Sequence, residues 1–325
     1  MRTRGHIALV AASLSLVVLA ACGGSQGSSD ARSITLYTCV SDTTIGPVID
    51  TFEHDHPGTK VNLYRAPTGD LNARVAGDVR SGGLRADVVW ACDPLTMQDY
   101  VDQGLVGGWT PATSIAAEYR TSDYVGVALL YMVAVSRAGV APPSSWSDLT
   151  GPEYAGGAAL PDPAVAASAL GALGYFARAS GYGVDFYAQL RKQGAKQVST
   201  PDDVVTGVAE GTYDVGITTA NSAYAAKKKG SPIEVSWPTP GAIAIYGPVA
   251  LVKDPKNAAT AKSFISYVTS RRGQTQMSSL GSYPTLAGVP GPTKPAGAAV
   301  VSPDWSELAA EKDGLLAQYQ KIFGG

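Results

Sequence analysis

The chain has 325 residues, 45% hydrophobic and 16% charged, with 25 Lys+Arg against 27 Asp+Glu and a formal net charge of -2. Neutralising a polyanion takes clustered Lys and Arg, so this balance excludes nucleic acid as a partner to expect. With 37 Gly, 21 Pro and 3 Cys, the chain is too well mixed for low complexity and too poor in Cys for a disulfide scaffold, and its length suits about two domains.

Arg2 and Arg4 precede a charge-free apolar run over residues 7–21, the pattern of an export signal. The run is about 15 residues, short of the ~20 that span hydrocarbon as a helix. It ends in Leu19-Ala20-Ala21-Cys22, which resembles the bacterial lipobox, in which the Cys is acylated and becomes the mature N-terminus. An ordinary signal peptide with an incidental Cys is the alternative. The resemblance implies a lipid anchor at Cys22, with two or more acyl chains holding the protein on the outer side of the bacterial cell membrane. Residues 1–22 are thus read as lipoprotein signal and lipobox, and residues 23–32 as a flexible Gly/Ser tether. Gly23, Ser25 and Gly27 match G-x-S-x-G but lack its strand, turn and helix context.

From Ser33 onward, short apolar strands alternate with amphipathic helices. Residues 34–38 (ITLYT) read as a strand, and Ile45, Val48, Ile49 and Phe52 fall at i, i+3, i+4, i+7 of a helix. Residues 61–64 make a second strand; Leu71, Val75 and Val79 line a second helix; residues 86–90 make a third strand. This β-α-β-α-β order implies a parallel sheet with right-handed crossovers, whose ligands bind beyond the carboxyl ends of the strands. Residues 125–136 form a longer strand leaving the first lobe. A second α/β set follows: a strand at 158–160, helices at 163–180, 184–192 and 201–210, a strand at 213–218, and a helix at 221–229. Residues 243–253 suit a strand crossing back, and 258–267 and 307–322 are helical. The expected organisation is lobe one over 33–126, lobe two over 127–246, and a return to lobe one with the C-terminal helices over 247–325. Two crossings make a hinge with a cleft between the lobes.

Over residues 34–289 the chain resembles the solute-binding lipoproteins of bacterial ABC importers, in the branch with ferric-iron, phosphonate and thiamine binders. The resemblance rests on the first strand and helix, Ala66-Pro67-Thr68-Gly69-Asp70-Leu71, and Ala86-Asp87-Val88-Val89-Trp90-Ala91-Cys92-Asp93. It continues in Trp146-Ser147-Asp148-Leu149, Leu160-Pro161-Asp162-Pro163, Gly247-Pro248-Val249-Ala250-Leu251-Val252 and Ser282-Tyr283-Pro284. It implies an α/β, two-lobed fold of the type II periplasmic binding proteins, each lobe a mostly parallel sheet flanked by helices, joined by two hinge crossovers. It also implies a monomer that captures a small-molecule or ion ligand and presents it to an ABC permease, with no cofactor and no catalysis. Closure requires only that the ligand contact the closed state better than the open one.

The loop holding Thr38, Ser41 and Asp42 puts hydroxyls and a carboxylate at a strand end, where helix capping accounts for them equally well. Thr68 and Gly69 either approach a ligand or form a turn. Asp93 precedes Pro94, which suits N1 of a further helix, so capping alone explains it as well. Residues 161–168 lead into a helix whose free N–H groups form an anion seat. There Ala166, Ala167 and Ser168 match the place where iron-binding relatives hold a synergistic anion; ordinary helix packing is the alternative. Asn221 and Tyr224 match positions at which iron binders carry an Asn followed by two tyrosine ligands, but Ala223 stands in the first tyrosine's place. An anionic organic solute, of phosphonate or phosphate-ester type, is therefore preferred to iron, with Asp42 or Asp93 meeting an amine. Tyr246 either walls the cleft or fills the core.

No metal ligand set is assigned: His54, Asp55 and His56 end a helix before Pro57 on a face expected to be solvated. Lys227, Lys228 and Lys229 complement a helix C-terminus. Cys39 and Cys92 follow the first and third strands, which are neighbours in the flavodoxin-like order 2-1-3, and strands ~4.8 Å apart are compatible with a disulfide. The rival function is an exported hydrolase or transferase, which would have to work with carboxylates, since the 3 His of the chain offer no placed base.

Overall fold

The computed structural model describes residues 32–292 and 294–324, so the export signal, Cys22 and the tether up to residue 31 lie outside the described residues. Lobe one opens with β1 (Ser33–Thr38), α1 (Asp42–Asp55), β2 (Lys60–Arg65), α2 (Thr68–Arg80), β3 (Val88–Trp90) and α3 (Pro94–Asp102). The three strands are parallel in the order β2-β1-β3, with Thr38 opposite both Arg65 and Trp90. Ile45, Val48 and Phe52 of α1 are buried on one face of this sheet. Leu71 and Val75 of α2 are buried on the other, beside Met97 and Tyr100. Val79 departs from the expected stripe: it is 40% exposed, because Asp78 takes the inward place in that turn and accepts from the Tyr37 hydroxyl.

The chain crosses on β4 (Val125–Arg137), and lobe two follows with β5 (Ala158–Pro161), α4 (Ala167–Arg178), α5 (Asp185–Lys192), β6 (Lys196–Val198), α6 (Pro201–Ala209), β7 (Val215–Thr219), α7 (Ala220–Lys228) and β8 (Ile233–Ser236). It crosses back on β9 (Ala242–Leu251), continuing through α8 (Ala258–Thr269), α9 (Arg271–Ser279), β10 (Val300–Val301) and α10 (Trp305–Phe323). The sheet order is β2-β1-β3-β9-β4-β7-β5-β6, with β10 beside β9 and β8 beside β4. β4 and β9 pair antiparallel from Val125↔Val249 to Met132↔Ile243, with a register shift between Gly126 and Ala128. One end of this ribbon continues into β3, the other into β7, so the two strands are the hinge crossovers.

Two features differ from the sequence expectation. α4 starts at Ala167 rather than residue 163, because Asp162 gathers the preceding turn: its carbonyl accepts from Val165 and Ala166, and its side chain accepts from Ala164. α10 packs on lobe two rather than returning to lobe one. Leu308, Leu315, Tyr319 and Phe323 complete a core with Phe176, Phe186, Tyr187 and Leu190, while Lys312 reaches Asp99 of α3 at 2.5 Å. β6, β8, α9 and β10 were not legible from periodicity. α9 (RRGQTQMSS) is held by one buried amide: Gln274 donates to the carbonyls of Val127 and Val268 and accepts from Thr285 N–H.

Candidate functional site

The carboxyl ends of the parallel strands in both lobes face one cavity of about 360 Å³. Lobe one supplies Cys39 and Ser41 after β1, Arg65 and Thr68 around the end of β2, and Cys92 after β3; lobe two supplies Ala166, Ala167 and Ser168 after β5, Thr200 to Asp203 after β6, and Asn221 and Ser222 after β7. The floor is the hinge ribbon, through Ala128, Leu130 and Gly247. A side chain at Gly247 would come within 3.0 Å of the Ala91 carbonyl, so glycine there lets the ribbon pass close to lobe one.

Five helices begin at this cavity. An α-helix leaves its first amides without internal partners, and these carry the positive end of its dipole. At four of the five starts no side chain supplies a cap: Ser41 before α1, Pro67 before α2, Ala166 before α4 and Thr219 before α7 make no side-chain capping bond. The fifth, α6, is closed by a capping box in which Thr200 and Asp203 satisfy one another's amides. Among the described residues that line the cavity, the one cation is Arg65. Arg65 donates through Nε to the Val40 carbonyl at 3.2 Å, and its Nη1 lies 3.9 Å from Asp42, beyond hydrogen-bond range. Two buried polar atoms of the lining lack partners among the described residues: Trp90 Nε1 and Asn221 Oδ1.

Of the residues singled out from the sequence, Ser41, Thr68, Ala167, Ser168 and Asn221 line the cavity. Thr38 is buried just behind it, donating to the Trp90 carbonyl and accepting from Val40 N–H. Asp42 lies outside the lining, beside Arg65. Gly69 joins the lobes: its N–H donates to the Val165 carbonyl at 3.3 Å, and a Cβ there would lie 3.1 Å from the Ala164 carbonyl. Asp93 is buried and caps α3 by accepting from Thr96 N–H, and burial raises its pKa. Tyr224 accepts from Trp237 Nε1 at 3.0 Å and packs with Tyr131 and Tyr283, outside the lining. Ala223 faces the core with Val135 and Val204, so even a tyrosine at that place would not reach the cavity from this register. Tyr246 lies on the reverse of the hinge ribbon. Cys39 and Cys92 are paired as a disulfide at the cavity wall, with Cα atoms 5.9 Å apart. Arg65 escaped notice because it is the last residue of a strand and belongs to no motif. Among the described residues there is no group of three or more His, Cys, Asp or Glu placed to hold a metal ion. His56 stacks on Phe52 with ring centres 4.2 Å apart, while His54 is exposed.

Two α/β lobes on a two-strand hinge, with one cavity between them, make the type II periplasmic binding-protein architecture. The chain belongs to the bacterial extracellular solute-binding protein family, whose profile matches residues 34–281. Its fold is similar to that of the periplasmic binding protein AfuA from Actinobacillus pleuropneumoniae, solved with exogenous fructose-6-phosphate bound. That match has a TM-score of 0.81 at 18% identity, covering 90% of this chain and 99% of the other. It is also similar to iron-bound HitA from Pseudomonas aeruginosa, with a TM-score of 0.74 at 18% identity over 89% of this chain and 99% of that one. In sequence it is 31% identical to the spermidine/putrescine-binding periplasmic protein of Escherichia coli over 151 residues, 44% of this chain and 42% of that protein.

Proposed function

We propose that the protein captures a small anionic solute, a phosphate ester or phosphonate, between its lobes and delivers it intact to an ABC permease while tethered to the membrane through an acylated Cys22. The observation that carries this reading is the gathering around one cavity of Arg65 and four helix starts without side-chain caps, of which α2 spends its Gly69 N–H on the Val165 carbonyl. Oriented amides and a guanidinium are the donors that a phosphoryl group uses, and none of them needs a proton or a metal. The cavity volume suits a small metabolite. AfuA, similar in fold, was solved with a sugar phosphate.

Ferric iron is the weaker reading. Hard Fe(III) calls for several anionic oxygens, whereas Tyr224 lies outside the lining and bonds Trp237. A second reading has an observation of its own: exposed Asp202 and Asp203 border the cavity, and a partial match runs to a spermidine/putrescine binder. These carboxylates would suit a cationic solute, although Asp203 is engaged in its capping box.

A thermal-shift panel of fructose-6-phosphate, aminoethylphosphonate, ferric citrate, thiamine and spermidine separates these readings. A true ligand at a hundredfold excess over its Kd stabilises the protein by about 2.7 kcal/mol. The proposal predicts that phosphate esters or phosphonates give the largest shift and are recovered unchanged. A shift with spermidine alone would move the assignment to the cationic class, and turnover of the ligand would make the protein an enzyme.

A further inference from the structure

Successive residues of a strand face opposite sides. Ala128, Leu130 and Gly247 of the hinge ribbon floor the ligand cavity, so their neighbours Leu129, Ala244 and Tyr246 face the reverse, where they line a second pocket of about 200 Å³. Three aromatic rings wall it. Tyr119 meets Tyr246 edge-on at 5.4 Å and 64°, and Tyr246 meets Trp305 at 6.1 Å and 79°. Rings at such angles meet edge to face rather than stacked, and Tyr119, Tyr246 and Trp305 are each only partly buried. The backbone makes room for them: a Cβ at Gly126 would lie 2.7 Å from the Tyr246 ring and 3.1 Å from Tyr119 Cβ. Glu118 also lines the pocket, and among the described residues of that lining there is no Lys or Arg. Burial, with Glu118 close by, pushes the Tyr119 pKa up to about 12, and burial raises that of Tyr246 as well, so both rings are neutral phenols at physiological pH.

We propose that this pocket is a second binding site, separate from the ligand cavity, for a quaternary or alkyl ammonium ion held among Tyr119, Tyr246 and Trp305 and neutralised by Glu118. Electron-rich ring faces attract a poorly hydrated cation, and aromatic cages are a recurrent solution for it. The volume is well beyond the ~10–15 Å³ that one water needs. The walls come from both sides of the hinge, since Tyr119 precedes β4 in lobe one and Trp305 opens α10 on lobe two. An occupant therefore touches both lobes at once.

The test titrates the mature protein calorimetrically with choline and with its neutral isostere 3,3-dimethyl-1-butanol. The account expects one choline bound, the isostere at least tenfold weaker, and choline still bound when the ligand cavity is saturated with a phosphate ester. Trp305→Ala should weaken choline at least tenfold. Glu118→Gln, an exposed change that leaves packing alone, should weaken it about threefold to tenfold and so decides the matter if the Trp305 variant fails to fold. No choline binding at millimolar concentration, equal binding of the isostere, unchanged affinity in both variants, or displacement by the phosphate ester would each overturn the assignment. Because the isostere comparison and the Glu118 variant need no cavity ligand, failure of the anion reading would not disturb this result.

Discussion

α4 and α6 both begin at the ligand cavity, in the same lobe and after neighbouring strands, yet they treat their free amides in opposite ways. α6 closes on itself: the Thr200 hydroxyl accepts from Asp203 N–H at 3.2 Å and the Asp203 carboxylate accepts from Thr200 N–H at 2.9 Å. α4 has Ala166 at the capping position, in extended backbone with φ -104 and ψ 114, and an alanine has no oxygen to offer. Buried backbone donors are nearly always paired, so a helix that opens uncapped onto a polar cavity is one whose acceptor arrives from outside. On the proposed anion reading, its place is at Ala166, Ala167 and Ser168 and away from Asp202 and Asp203.

The largest expected effect comes from making α4 resemble α6. Ala166→Asp supplies a cap and a negative charge at once, so calorimetry should show phosphate-ester affinity falling by about two orders of magnitude or more while the empty protein gains about 1 kcal/mol. Next is Arg65→Gln. A hydrogen bond to a charged group contributes about 1.5–3 kcal/mol, which predicts an affinity loss of about 10- to 100-fold with little change in melting temperature. Opening α6 is the converse experiment. Thr200→Ala should cost about 1 kcal/mol of stability in denaturant titrations and leave anion affinity undiminished; a marked loss of affinity there would place the anion at the wrong helix.

The smallest effect concerns a third start, that of α3, where the Asp93 cap is buried. Burial raises its pKa above the ordinary 3.8, so the folded state holds this proton more tightly than the unfolded chain does. Stability from this group is therefore complete below the ordinary carboxylate range and is lost as pH rises through the raised value. Asp93→Asn keeps a capping oxygen and should flatten that decline in melting curves above about pH 4. Asp148 works with the opposite sign. Hydrogen bonds from Ser145 and Ser144 hold it at about 2, so its contribution is present at neutral pH and lost on acidification toward that value.

The α/β class and the strand order of lobe one were legible because Ile34, Leu36, Val88 and Val89 and the i, i+3, i+4 stripe of α1 carry the two periods that sheets and helices impose. The elements that escaped are those held by tertiary partners. β6 is only three residues long, and the polar helix α9 depends on the hydrogen bonds of Gln274. At the site, the hydroxyl and small-residue loops were visible because strand ends in a parallel sheet are the default ligand positions. The limits of that rule are equally physical. It says which loops approach a ligand but not which side chains turn inward: Tyr224, expected in the cleft, bonds Trp237 outside the lining, and Tyr246, for which cleft wall and core were both open, faces the back of the hinge. Arg65 needed the register of β2 against β1 to bring it beside Ser41.

Phosphorus NMR of fructose-6-phosphate mixed with the mature protein tests directly the proposed contact between phosphoryl group and helix starts. The account predicts a shifted or broadened resonance that saturates at one equivalent, is untouched by excess spermidine, and returns to the free position with Ala166→Asp. Free, sharp lines for fructose-6-phosphate and for aminoethylphosphonate, in a sample whose melting temperature rises with spermidine, would contradict it.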